Sequence, residues 1–146
     1  MDHINLKLVI AIARTYNQLF TKIEESLKPE GMTTTEFGVL EHLYHKGKQP
    51  VQNIAEKILV TSGTITYIID KLEKRGLVER IRCVEDKRVF YVALTPEGET
   101  LISGVFKRHE DMLERLFSDL TLEQKENIHL DLVNFQKVIS KERSNI

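Results

Sequence analysis

Between Ser62 and Arg75 the chain sets short hydroxyls, a glycine, an aromatic ring and lysines at helical spacing. Ile65, Ile68, Ile69 and Leu72 fall at i, i+3, i+4 and i+7, the pattern of a stripe buried on one side of a helix. A wheel centred on that stripe turns Gly63, Thr66, Tyr67, Asp70 and Lys74 outward and leaves Thr64 and Lys71 on the flank. The chemistry such a face offers is non-covalent. Hydroxyls and an aromatic ring can approach base edges, and lysines suit phosphates. Gly63 lets a duplex come close to the backbone, and the positive helix end beside Ser62 favours a phosphate. An ordinary solvated helix face carries the same residue types, so the context must decide.

That context begins after Gly76, where the apolar period changes. Leu77–Cys83 and Val89–Leu94 are rich in β-branched and aromatic residues, with a charged turn, Val84–Arg88, between them. They read as a two-stranded hairpin. A hairpin directly after a reading helix is a wing. Its tip, Asp86-Lys87-Arg88, puts a guanidinium where the negative potential of a minor groove would attract it, and Arg82 adds a further cation. Asp86 can fix the turn through an Asx hydrogen bond. Asp70 sits awkwardly among phosphates; it either pairs with Arg80 or Arg82 and orients it, or is a plain exposed acid.

These residues need elements to hold them. Val51–Leu59 reads as a short helix, Val60-Thr61-Ser62 as a tight turn with hydroxyl caps, and Gly76 as the stop of the next helix after Lys74 and Arg75. Two helices so joined form a helix-turn-helix. Upstream, residues 5–27 read as a long helix ended by Pro29 and Gly31, apolar on more than one side in its first half. Thr33 with Glu36 is a capping-box signature for a second helix, and residues 46–50 read as a loop. Thr95-Pro96-Glu97 opens a helix with the stripe Leu101, Ile102, Val105, His109, Met112, Leu113 and Leu116. Thr121 with Gln124 opens a last helix carrying Ile128, Leu132, Phe135 and Ile139. The fold class is mainly α (α+β): a winged helix-turn-helix over residues 31–95, with residues 1–30 and 96–146 as a helical dimerisation region.

Bulk properties narrow the function. With 146 residues and no internal repeats, the chain suits one compact protomer. Its net charge of −1 does not point to nucleic acid, but residues 61–94 carry seven basic against five acidic side chains while residues 95–146 carry seven against ten. No apolar run approaches the ~20 residues that span a bilayer. The Lys7–Ala13 region lacks a secretory n-region, and one cysteine, Cys83, suits a reducing cytoplasm. A Gly-rich phosphate loop, metal-ligand spacing and a nucleophile–base motif are all missing, so neither catalysis nor a cofactor nor a metal is expected. A winged helix used only for protein–protein contact is the rival reading; the basic tip and hydroxyl-rich face argue against it.

The stretch from Val60 to Gly98 closely resembles the MarR family of bacterial regulators. The matching pieces are Thr64–Arg80 with its Leu72-Glu73-x-x-Gly76-Leu77-Val78-x-Arg80, then Asp86-Lys87-Arg88, then Leu94-Thr95-Pro96-Glu97-Gly98. Thr33–Leu43 also resembles that family's second helix. The Asp2-His3 start and Tyr44–Gly47 are most similar to a quinone-responsive branch. The resemblance implies homodimers joined through terminal helices, bound to palindromic operators on double-stranded DNA. It further implies repressors released by a small phenolic or quinone-like ligand or an electrophile. It places an effector pocket among the first, second and fifth helices, where Tyr16, Phe20, Phe37, His42 and His109 are candidates. Peroxide-sensing members carry a cysteine in the first helix, which this chain lacks. Cys83 is either a plain strand residue or a thiol reactive close to DNA. The scattered histidines do not match the paired ligands of zinc-sensing members.

Overall fold

The computed structural model describes residues 3–58 and 62–142, the side chains of Ser62 and Glu142 excepted. The expected Val60–Thr61 turn, the end of the preceding helix at Leu59, and Asp2 lie outside the described residues. The elements run α1 (Ile4–Leu27), a 3₁₀ turn (Lys28–Glu30), α2 (Thr34–Lys46), β1 (Gln49–Pro50), α3 (Val51–Ile58) and α4 (Ser62–Lys74). Then come β2 (Val78–Arg82), β3 (Phe90–Leu94), α5 (Pro96–Leu116) and α6 (Leu122–Glu142). This is the winged-helix arrangement, mainly α with a small antiparallel sheet. Among the described residues no helix is long and apolar enough to cross a membrane.

Local chemistry accounts for most of the boundaries. Thr33 Oγ1 accepts from the Glu36 amide at 3.1 Å while the Glu36 carboxylate accepts from the Thr33 amide at 3.3 Å, closing the capping box that starts α2. Gly76, at φ 74°, ends α4: its N–H donates to Glu73 O and the Leu77 N–H to Leu72 O, a Schellman stop that only a residue tolerant of left-handed backbone makes without strain. Thr121 and Gln124 repeat the capping box at α6.

The sheet holds one strand more than the periodicity predicts. Its order is β1-β3-β2, all antiparallel, with Gln49 opposite Val92 and Pro50 opposite Tyr91. Residues 49–50, expected as loop, pair along the outer side of β3. Two residues are too few to show alternation, and proline is tolerated there because an edge strand is bonded on one side only. The wing strands pair from Val78 opposite Leu94 to Arg82 opposite Phe90. They are slightly shorter than Leu77–Cys83 and Val89–Leu94, because Leu77 is used by the helix stop and Val89 turns back onto Asp86.

The chain divides into two compact units, Met1–Glu110 and Asp111–Ile146. In the first, the core gathers Leu40 and Leu43 of α2, Ile54 of α3, Ile65, Ile69 and Leu72 of α4, Val78 and Val92 of the sheet, and Ile102 and Val105 of α5. Of α1 the C-terminal turns join it, Leu27 within the core and Ile23 packed against it. The first half of α1 leaves Ile4, Leu6, Leu8, Val9 and Ile10 exposed. In the second unit, α6 leaves Leu122, Ile128, Leu130, Leu132, Val138 and Ile139 exposed.

One joint ties the wing, α4 and α5 together. Thr95 Oγ1 donates to Gly76 O at 2.6 Å and accepts from the Gly98 N–H at 3.0 Å, while the Thr95 N–H donates to Leu77 O. The backbones meet so closely that a Cβ on Gly98 would stand 1.9 Å from the Leu77 carbonyl oxygen. Gly98→Ala is therefore expected to cost about 3 kcal/mol, the upper end of overpacking penalties, read as a fall in the urea midpoint. Unchanged stability would show that the joint yields.

Candidate nucleic-acid interface

α4 is built as the spacing predicts. Ile65, Ile68, Ile69 and Leu72 are buried, and Ile54 of α3 and Val92 of the sheet share their core. Burying that stripe turns Gly63, Thr64, Thr66, Tyr67, Asp70 and Lys74 to the exposed side. Tyr67 is 68% exposed, a large ring on a face with no packing demand for it. At Gly63 no described atom lies within 4 Å of where a Cβ would be. Of Ser62 only the backbone, as the first residue of α4, is described.

Asp70, Lys71 and Glu73 of α4 are exposed, as a helical wheel implies, but each is already held in an ion pair with another element. Arg80 of β2 donates to Asp70 Oδ1 at 2.5 Å and to Glu73 Oε1 at 3.0 Å, and its amide donates to Glu73 Oε2 at 3.2 Å. Of the two arginines expected for Asp70, Arg80 is its partner; Arg82 instead lies over the Phe90 ring, 5.5 Å from its centroid. On the other flank, Lys71 Nζ lies 2.7 Å from Glu36 Oε1 and Arg75 Nη1 3.5 Å from Glu36 Oε2. The hydrogen bond that Lys71 donates to the Glu36 carboxylate raises the ammonium's pKa above the usual lysine value. Lys74 makes no ion pair among the described residues.

At the wing tip, Asp86 Oδ1 accepts from the Arg88 amide at 3.0 Å and from Arg88 Nε at 3.2 Å. The Asx turn is thus present, and the Arg88 side-chain hydrogen bond holds the Asp86 carboxyl below the usual range. Arg88 is nonetheless 91% exposed, and Lys87 is exposed beside it. Thr66, Arg80 and Arg88 line a groove of about 360 Å³ with Pro50, Gln52 and Phe90, so the exposed face of α4 and the wing border one concavity. Cys83 is a half-buried free thiol whose amide donates to Val89 O across the base of the turn.

Among the cavities formed by the described residues, none is lined by all five candidate effector residues. Tyr16 and Phe20 stack at 4.4 Å and line a groove of about 770 Å³ with Asn17, Thr34, Gly38 and Ile58, among α1, α2 and α3. Phe37 instead packs on His109 of α5, centroids 4.8 Å apart, beside the core. Neither Phe37, His42 nor His109 lines the α1–α2 groove. His42 Nε2 and His109 Nδ1 are buried without a hydrogen-bond partner among the described residues. Burial lowers the pKa of both, with Lys46 and Lys57 lowering His42 further and Glu41 and Glu110 partly opposing the shift at His109.

Sequence reasoning missed Glu36, Arg75 and Glu73 as parts of this site. The capping box pointed to Glu36 as a local group, but its reach across to α4 leaves no trace in spacing. Pro50 of β1 and Gln52 of α3 also border the groove, a neighbourhood that spacing does not announce.

A model of the MarR family matches residues 32–90. The HTH-type transcriptional regulator MhqR of Bacillus subtilis (strain 168) is 39% identical over 126 residues, covering 86% of this chain and 87% of that protein. The HTH-type transcriptional repressor MdtR of the same organism is 31% identical over 122 residues, covering 81% and 79%. Among solved structures, AbsC, a MarR family transcriptional regulator from Streptomyces coelicolor, shares the fold with a TM-score of 0.87 and 19% identity over 97% of each chain.

The buried histidines give a pH dependence. A histidine whose folded pKa lies below its ordinary value of about 6.5 stabilises the fold fully above that value. Its contribution is lost as pH falls toward the folded pKa, because the unfolded chain takes up the proton first. The Tm of the wild type is expected to drop between pH 7 and pH 5, and to drop less in His109→Phe. Equal losses would remove His109 from that account.

Proposed function

Because this chain belongs to the MarR family and is a DNA-binding transcriptional regulator, we propose that it is a homodimeric repressor. On this reading, α4 and the wing read a palindromic operator on double-stranded DNA, and a small phenolic or quinone-like molecule or an electrophile releases it. The carrying observation is the face of α4: a fully buried isoleucine–leucine stripe behind, and Gly63, Thr64, Thr66 and Tyr67 exposed in front. A helix so anchored can present those side chains to the major groove, with the Ser62 end toward a phosphate. Lys74, Arg82 and Lys87 supply phosphate contacts and Arg88 reaches the minor groove. Asp70 and Asp86 act by holding Arg80 and Arg88.

Dimerisation is supported by the exposed apolar residues of α1 and α6, more than a monomeric surface ordinarily leaves in contact with water. Residues 1–30 and 96–146 form that region and residues 31–95 the DNA-binding one. Two reading helices related by a two-fold axis match a palindrome, half-sites being a helical turn or its multiple apart. The protein acts in the cytoplasm, on DNA of the nucleoid.

For the effector, the α1–α2 groove is favoured by its size, within the range of small-molecule sites, and by the Tyr16–Phe20 ring pair on which a planar ring can stack. Phe37, His42 and His109 then serve the packing of α2 rather than direct contact. Cys83, one residue beyond β2, then plays only a structural part at the base of the turn.

Arg88→Ala is expected to weaken binding to the chain's own promoter fragment and to random DNA alike, while Thr66→Ala and Tyr67→Ala change base preference, each by about 1–3 kcal/mol at the affected position. Equal loss on specific and random DNA for all three in gel shifts would defeat that division. Cys83→Ser should still be released by phenols and quinones, whereas Tyr16→Ala should not. The opposite pattern would make the thiol the sensor.

A further inference from the structure

Glu36 is the one charged side chain among the described residues that is buried, at 2% exposure. A carboxylate is left in such a place only when paired and hydrogen-bonded. Both of its oxygens are occupied: Oε1 by Lys71, and Oε2 by Arg75 and the Thr33 amide. Lys71 and Arg75 stand four residues apart on one face of the reading helix and its stop, so both cations meet a single carboxylate. That carboxylate belongs to the first turn of α2, where it also closes the capping box.

We propose that Glu36 and Lys71 are positioning residues for DNA reading: the buried carboxylate fixes the rotation and depth of α4, and the Lys71 charge is kept from phosphate to serve it. The sequence alone assigns Lys71 to phosphate; the geometry assigns it to α2. The direct bond at 2.7 Å and the strengthened hold on its proton both describe an ammonium already committed to a carboxylate. A phosphate contact by Lys71 would have to break that bond and leave the carboxylate with Arg75 alone. The inference rests on α4 being the reading helix, and it specifies which residues set that helix's placement.

Salt dependence separates the two roles. Each phosphate neutralised adds about 0.9 to the slope of log affinity against log salt. With the intact protein and its own promoter fragment, Lys71→Met is expected to leave that slope unchanged. The preference over random DNA should fall by about ten-fold, the order found for residues that act through others. Lys71→Arg, which keeps the charge, should retain the preference. Glu36→Gln, which keeps the capping box, should lose preference too and steepen the slope as Lys71 is released to solvent and phosphate. Adding Lys71→Met to it should restore the slope.

A slope that falls by about one per protomer in Lys71→Met, with equal loss on both DNAs, would overturn the proposal and return Lys71 to phosphate. So would an unaltered preference in Lys71→Met or in Glu36→Gln, or a Lys71→Arg as poor as Lys71→Met. A wild-type chain without preference for its promoter fragment would instead sink the DNA reading itself, and this inference with it.

Discussion

The placement of α4 depends on ion pairs drawn from both of its flanks. Its isoleucine–leucine stripe supplies adhesion to the core, but apolar contact is non-directional and leaves rotation about the helix axis weakly specified. Direction comes from Arg80 of β2, which takes Asp70 and Glu73, and from Glu36 of α2, which takes Lys71 and Arg75. The two clusters pull on residues of opposite sign from opposite sides. Four of the five charged residues from Asp70 to Arg75 are thereby used inside the protein. What α4 offers outward is mostly neutral: a glycine, two threonines and a tyrosine. Such a face offers shape and hydrogen bonding more than charge.

The same arrangement makes α2 a structural intermediary. Its first turn carries Glu36, facing α4, and also Thr34, Thr35 and Gly38, which border the groove against α1. Further along, Phe37 packs on His109 and His45 meets Phe106, so α2 is fastened to α5 by rings. Protein interiors packed this tightly pass displacement on rather than absorb it. A molecule seated between Tyr16 and Thr34 would press on the turn that holds Glu36 against α4.

How much of this could be read from sequence follows from how local each cause is. The stripe of α4, the Gly76 stop, both capping boxes and the Asp86–Arg88 turn are set by residues within a few positions of one another, and all are present at the predicted places. β1 was not legible, because two residues form a strand only when β3 is there to receive them. The grouping of Tyr16 and Phe20 apart from Phe37 and His109 was hidden for a related reason: it depends on which way α1 leaves α2, and the chain between them carries only a turn signal at Pro29 and Gly31. Lys71 is the sharpest case. A wheel places it on the flank correctly, yet its partner lies 35 positions earlier, where nothing but a local cap is announced.

The joint at Gly76, Leu77, Thr95 and Gly98 has a bearing on the wing. It fastens the two ends of the hairpin to each other and to the base of α5, so that the segment between them is a closed loop. Within that loop the ladder from Val78 to Arg82 is already paired, and the Asx turn restrains Asp86 to Arg88. Ordering a residue's backbone costs about 1–2 kcal/mol, and here that cost is largely met before any partner arrives. Only the few side chains of the tip remain to be immobilised on contact. The wing is thus a preorganised finger, whose association is opposed by little conformational entropy.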